Sequence, residues 1–144
     1  MGPKGRVLVV DDEPAIRALV TKIVERAGHP VDSARDGAEA IARLEVEDYS
    51  VLVLDLMMPN VDGYALIDHL KARGGRRPAI IVISAGDTAA LRRLDGSMVH
   101  SILRKPFDID VLGDLITAAV RSMAEVAEPH NGQVLPFPKS DAVC

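Results

Sequence analysis

The chain has 144 residues, of which 48% are apolar and only 3% aromatic, with 17 basic against 21 acidic side chains and a net charge of −4. That is the size of one domain with an aliphatic core. Its densest basic stretch is "RGGRR" (73–77), too little for a nucleic-acid grip built on many phosphate contacts. No apolar run approaches the ~18 residues that would cross a bilayer, and "MGPKGRVLVVDD" at the start is too short in apolar residues for a secretory signal. The only cysteine, Cys144, can form no internal disulfide, which fits a reducing compartment, so a cytoplasmic setting without membrane contact is expected.

In chain order, "RVLVV" (6–10) is a continuous β-branched run of the kind buried on both faces of a parallel sheet. A helix follows, since Ile16, Leu19, Val20, Ile23, Val24 and Ala27 recur at three and four, with Pro14 in the first turn and Gly28 at the stop. "PVDSA" (30–34) is polar enough for an edge strand. Asp36 and Glu39 resemble a capping box ahead of Ile41 and Leu44. After "SVLVL" (50–54), Asp62 can cap a helix carrying Leu66, Ile67 and Leu70, stopped by Gly74 and Gly75. "AIIVI" (79–83) precedes a short helix from Asp87 to Leu94, ended by Gly96. "HSILR" (100–104) precedes a last helix capped by Asp108, with Leu112, Leu115, Ile116, Ala119, Val120 and Met123 in one stripe and Phe107 stapled on Leu112. "EPHNGQVLPFPKSDAVC" then brings prolines and no periodicity, so 127–144 is read as a disordered tail, 1–4 as a lead and 5–126 as the domain. Strand and helix alternate throughout, which predicts an α/β fold: a doubly wound, five-stranded parallel sheet with helices on both faces.

The polar residues then acquire a common address. Asp11 and Asp12 follow the first strand, Asp55 the third, Ser84 the fourth and Lys105 the fifth. In an open parallel sheet these ends share one edge, where ligands bind at the reversal of strand order. Two carboxylates about 4 Å apart repel by roughly 4 kcal/mol at an effective dielectric near 20. Gathered acids therefore need shared protons, a lysine or a cation, and hard oxygen donors with open coordination places suit Mg²⁺. A lysine and a hydroxyl beside such an acid are the equipment for an aspartyl phosphate.

With "VVDDE" (9–13), "LDLMMPNVDG" (54–63), "ISA" (83–85) and "KPF" (105–107) in this order, the chain resembles the receiver domain of bacterial two-component response regulators over roughly residues 5 to 125. The resemblance implies a flavodoxin-like strand order 2-1-3-4-5. It implies Asp55 as phosphoacceptor, Asp12 as a direct Mg²⁺ ligand, Asp11 as a ligand acting mostly through water, and the Met57 carbonyl as a further ligand. It also implies that Ser84 turns toward the phosphoryl group and that Lys105 contacts it, and Pro106 follows through a peptide bond that is often cis in this family. Met57 and Gly86 match positions that tune hydrolysis of the acyl phosphate. The implied phosphate source is a histidine kinase or a histidine phosphotransfer protein. The implied readout is protein contact on the face of the short fourth helix, the fifth strand and the last helix, with self-association left open. The implied activity is that of a phosphoacceptor with self-catalysed transfer and hydrolysis, not of a separate enzyme. Ile102 departs from the family, which places an aromatic ring or histidine there; His100 lies on the same strand face.

Read singly, Asp55 is a strand-end acid, Asp11 and Asp12 are a helix-capping pair, Ser84 is a strand-end serine and Lys105 a surface lysine. Met57 and Met58 read as packing, His29, His69 and His130 as surface residues, and Arg92 and Arg93 as solvated. Convergence on one edge favours the joint reading. A small Asp-nucleophile phosphatase is the rival of the same fold class, but the acid it would carry two residues after the nucleophile is Met57 here. A flavin carrier would meet "DDEPAIR" where a phosphate loop belongs. Only about twenty residues follow the last helix, which is expected of a stand-alone receiver, though a piece of a longer regulator would read the same.

Overall fold

A computed structural model describes residues 5–56, 63–75, 77–85, 91–94 and 96–127. The expected elements form. Strands β1 (Val7–Val10), β2 (Val31–Ala34), β3 (Val51–Asp55), β4 (Ala79–Ser84) and β5 (Val99–Arg104) alternate with helices α1 (Pro14–Arg26), α2 (Gly37–Val46), α3 (Gly63–Arg73) and α4 (Ile109–Ala127). All strand pairs are parallel, in the order β2-β1-β3-β4-β5.

Strand pleat divides the core. Leu8, Val10, Leu52, Leu54, Ile80 and Val82 point to one face, with Ala40 and Leu44 of α2 and Leu66, Ile67 and Leu70 of α3. Val7, Val9, Val51, Val53, Ile81 and Ile83 point to the other, against Val20, Ile23 and Val24 of α1 and Leu112, Ile116 and Ala119 of α4. Burying each such aliphatic side chain contributes about 1.5–3 kcal/mol before conformational entropy is set against it. This explains why the central strands tolerate no polar residue until their last position.

Helix ends follow local chemistry. Asp36 accepts the Glu39 amide at 2.8 Å, while the Glu39 carboxylate accepts the Arg35 amide at 2.8 Å, so the reciprocal arm of the box sits one residue early. Asp108 accepts the amides of Asp110 and Val111. Gly28 lies past the end of α1 at φ +91°, and Gly74 and Gly75 past α3 at +70° and +72°, where a side chain would be strained. Asp62 and the first residues of the helix expected from Asp87 lie outside the described residues, as do 1–4 and 128–144. At 91–92 that helix is present.

The edges differ from expectation in one respect. β2 is an edge strand, as its polarity predicts, and is tied down by polar contacts. Tyr49 donates to Asp32 at 2.7 Å and Arg6 pairs with Asp32 at 3.3 Å and with Glu47 at 3.5 Å. Burial first, then Asp32, pushes the Tyr49 phenol up to about 12. β5, expected to be covered on both faces, alternates between half-buried and exposed residues. Being the other edge, it has a sheet neighbour on one side only, which leaves His100, Ile102 and Arg104 outward.

Candidate functional site

Register brings the acids together. Val10 of β1 pairs with Leu54 of β3, so Asp11 and Asp55 follow at the same level. Asp55 pairs with Ile83, and Ser84 comes next; Ser84 pairs with Arg104, and Lys105 comes next. Strands β1, β3, β4 and β5 thus each deliver polar groups to the same end of the sheet. The Lys105 amide donates to the Ser84 carbonyl at 2.9 Å, and the Leu56 amide to the Ile83 carbonyl at 3.2 Å, which extends the ladder past the strand ends.

Carboxylate oxygens of Asp11, Asp12 and Asp55 all lie within 4.8 Å of one another. Asp11 and Asp55 are buried, at 1% and 6% exposure, as is Ser84 at 1%, whereas Asp12 is exposed. The Lys105 ammonium lies 3.5 Å from Asp55 Oδ2. Burial pushes the Asp11 carboxyl up to about 6; the Glu13 amide and Lys105 work against this, and Asp55 adds to it through its charge and a shared hydrogen bond. The donor set fits Mg²⁺: hard oxygens, close enough to share one ion, one side open to solvent, and an Asp11 carboxyl whose pKa burial and the neighbouring Asp55 raise. Met57, whose carbonyl is the fourth expected ligand, lies outside the described residues, as does Gly86.

A close backbone contact supports this geometry. The Gly63 amide donates to the Leu56 carbonyl at 2.9 Å, closing the neck of the segment after Asp55. A Cβ on Gly63 would come within 2.7 Å of the Leu56 backbone, so only glycine fits. The Lys105–Pro106 peptide is cis, in line with the resemblance.

Asp11 does not cap α1, contrary to the simple reading of the pair. Glu13 is the N-cap residue, and Asp11 Oδ1 accepts the Glu13 amide at 2.9 Å instead. Proline at the start of α1 removes a donor that would otherwise need a cap, which frees both acids for the sheet edge. Sequence reading missed Arg17, whose guanidinium donates to the Asp11 carbonyl at 2.9 Å. It lies one helical turn beyond Glu13, and that spacing was the available signal. Two histidines are less exposed than expected. His29 Nε2 is 3.2 Å from Thr117 Oγ1 across the α1–α4 side, and His69 Nε2 is buried without a hydrogen-bond partner among the described residues. Arg93 stacks over the Tyr64 ring at 4.1 Å instead of standing free in solvent. Ile102 is 43% exposed on β5, outside the acid cluster.

Known proteins resemble the chain in sequence and fold. The transcriptional regulatory protein TcrA of Mycobacterium tuberculosis is 36% identical over 108 residues, which cover 74% of this chain and 42% of TcrA. The receiver domain of a Francisella response regulator is 30% identical with a TM-score of 0.75, covering 82% of this chain and 98% of that one. The response regulator TrrA of Thermotoga maritima, solved in complex with Mg(2+)-BeF, is 27% identical with a TM-score of 0.70, covering 79% of this chain and 97% of that one. The chain thus spans less than half the length of the curated relative. No helix among the described residues is long and apolar enough to cross a membrane. Residues 7–117 match the family model of the response regulator receiver domain, and with the sheet order and the acid cluster in agreement, the chain belongs to that family, the receiver module of two-component signal transduction.

Proposed function

We propose that residues 5–126 act as a receiver that takes a phosphoryl group onto Asp55 from a histidine kinase or a histidine phosphotransfer protein, in the cytoplasm and with Mg²⁺. The single observation that carries this reading is that Asp55 sits both in the three-carboxylate cluster and 3.5 Å from the Lys105 ammonium. The carboxylates of Asp11, Asp12 and Asp55 and the carbonyl of Met57 would hold Mg²⁺, which when bound offsets negative charge on the phosphoryl oxygens. The likeness to TrrA, solved with Mg(2+)-BeF, supports that assignment.

In this reading an Asp55 carboxylate oxygen attacks phosphorus, the bond from phosphorus to the donor nitrogen breaks, and the imidazole keeps the electron pair. Lys105 contacts a phosphoryl oxygen as a point charge. The Ser84 hydroxyl donates to another. Hydrolysis of the acyl phosphate by water returns the carboxylate. The phosphoryl group places roughly one further negative charge at the ends of β3, β4 and β5. Attraction of Ser84 and Lys105 toward it biases the positions of β4, β5 and the segment ending at Leu94, a population shift that a protein partner reads on the face those elements share with α4. A net charge of −4 argues against a nucleic-acid grip built on many phosphate contacts.

The test is incubation with acetyl phosphate and Mg²⁺, followed by intact-mass measurement. The expected result is a gain of about 80 Da, stable in acid and lost in alkali, as an acyl phosphate should be. Asp55→Asn should show no gain. Rapid turnover of many phosphomonoesters without a stable adduct would replace this reading with that of a phosphatase.

A further inference from the structure

We propose that Arg17 is a positioning residue of the cation site, acting through the backbone of the acidic turn and not through its charge. The turn from β1 into α1 is fixed at three points. The Asp11 amide donates to the Ala34 carbonyl of β2 at 3.1 Å. Asp11 Oδ1 accepts the Glu13 amide at 2.9 Å. The Asp11 carbonyl accepts Arg17 Nη1 at 2.9 Å. That carbonyl belongs to the peptide joining the two acids, so its direction sets the plane from which both Asp11 and Asp12 project. No other hydrogen bond among the described residues is seen to hold this plane from the carbonyl side.

The geometry of Arg17 is set in turn by the helix. Its amide donates to the Glu13 carbonyl at 2.9 Å, the first bond of α1, so backbone and side chain of one residue clasp both ends of the turn. Asp12, exposed and following directly, has no buried packing to fix it and depends on this plane to meet Asp11 and Asp55 within 4.8 Å. Groups that orient metal ligands without touching the metal typically account for about 10–100-fold in affinity. A cation of this valence brought near a cation site should otherwise weaken binding, so the sign of the effect separates positioning from charge.

The inference rests on the Mg²⁺ reading above, and the experiment separates the two. Mg²⁺ is titrated calorimetrically into wild type, Arg17→Met and Arg17→Lys, with thermal melting of each. Arg17→Met keeps the alkyl stem and its packing but removes every donor; Arg17→Lys returns one donor. The expected result is Mg²⁺ binding weakened about tenfold in Arg17→Met and by clearly less in Arg17→Lys, with melting temperatures of the two variants alike. Unchanged or tighter binding in Arg17→Met overturns the positioning role. Equal weakening in both variants overturns it too, since a donor to the Asp11 carbonyl would then not matter. Wild type that takes up no Mg²⁺ overturns the cation reading itself.

Discussion

Lys105 Nζ approaches Asp55 Oδ2 to 3.5 Å from the end of a strand two places away in the sheet. Lysine placed there serves as a phosphoryl contact only if the chain delivers it at the level of Asp55, which the step from Ser84 to Arg104 to Lys105 accomplishes. Lys105→Ala should slow phosphorylation of Asp55 by acetyl phosphate by about a hundredfold, the scale seen when one charge-stabilising donor is removed. Mg²⁺ affinity should persist, because Lys105 is not a ligand. A phosphorylation rate equal to wild type would assign Lys105 to structure alone.

The Asp11 carboxyl gives the metal-free domain a pH signature. Its pKa is raised from 3.8 to about 6, so the folded chain holds a proton that the unfolded chain releases. The stability from this group is complete below about 3.8 and is lost as pH rises to about 6, leaving the metal-free domain less stable at neutral pH on this account. Mg²⁺ competes with that proton. It should therefore raise the melting temperature clearly at about pH 7.5 and little at about pH 5, with affinity falling up to about tenfold per pH unit below the Asp11 pKa. An equal rise at both pH values would contradict a role for Asp11 at the site.

Gly63→Ala tests the neck of the segment after Asp55. The added methyl would press to within 2.7 Å of the Leu56 backbone, which directly follows β3 and is held by its amide's bond to the Ile83 carbonyl. Overpacking of this kind costs about 1–3 kcal/mol, or roughly 4–10 °C in melting temperature for a domain of this size. Phosphorylation should fall as well, because Leu56 adjoins Asp55. A melting temperature within about 1 °C of wild type would show that the neck yields easily.

Much of this was legible because burial in a parallel sheet is severe. β1, β3 and β4 are apolar until the residue that reaches the edge, so Asp11, Asp55 and Ser84 announce themselves as the first polar residues after an apolar run. The long stripe of α4 and the glycine stops were readable for similarly local reasons. Exposure of β5 was missed, although His100, Ser101 and Arg104 make "HSILR" more polar than the central strands, as suits a strand at the sheet's edge. Arg17 was missed because its contact is to a carbonyl, so its place one helical turn beyond Glu13 was the only hint in the sequence. Gly63 stood in the sequence only as the end of "LDLMMPNVDG"; its reason is a close approach to Leu56 that only the fold creates. His29 and His69 were misjudged because partial burial by packed helices has no short-range signature.

Ile102, where the family resemblance leads one to expect a ring, faces outward at 43% exposure and does not reach the acids. Ile102→Tyr should therefore leave the rate of phosphorylation within about twofold, the range of an ordinary surface change. Its larger effect should fall on binding of protein partners to the β5 face. A tenfold change in phosphorylation rate would instead tie position 102 to the chemistry.

The most direct measurement is to locate the acyl phosphate. Borohydride reduces an aspartyl phosphate to homoserine, and fragmentation of the resulting peptides then reads the position. The account predicts homoserine at residue 55, dependent on Mg²⁺ and on the phosphodonor. Homoserine at residue 11 or 12, or none anywhere despite a gain in mass, would contradict it.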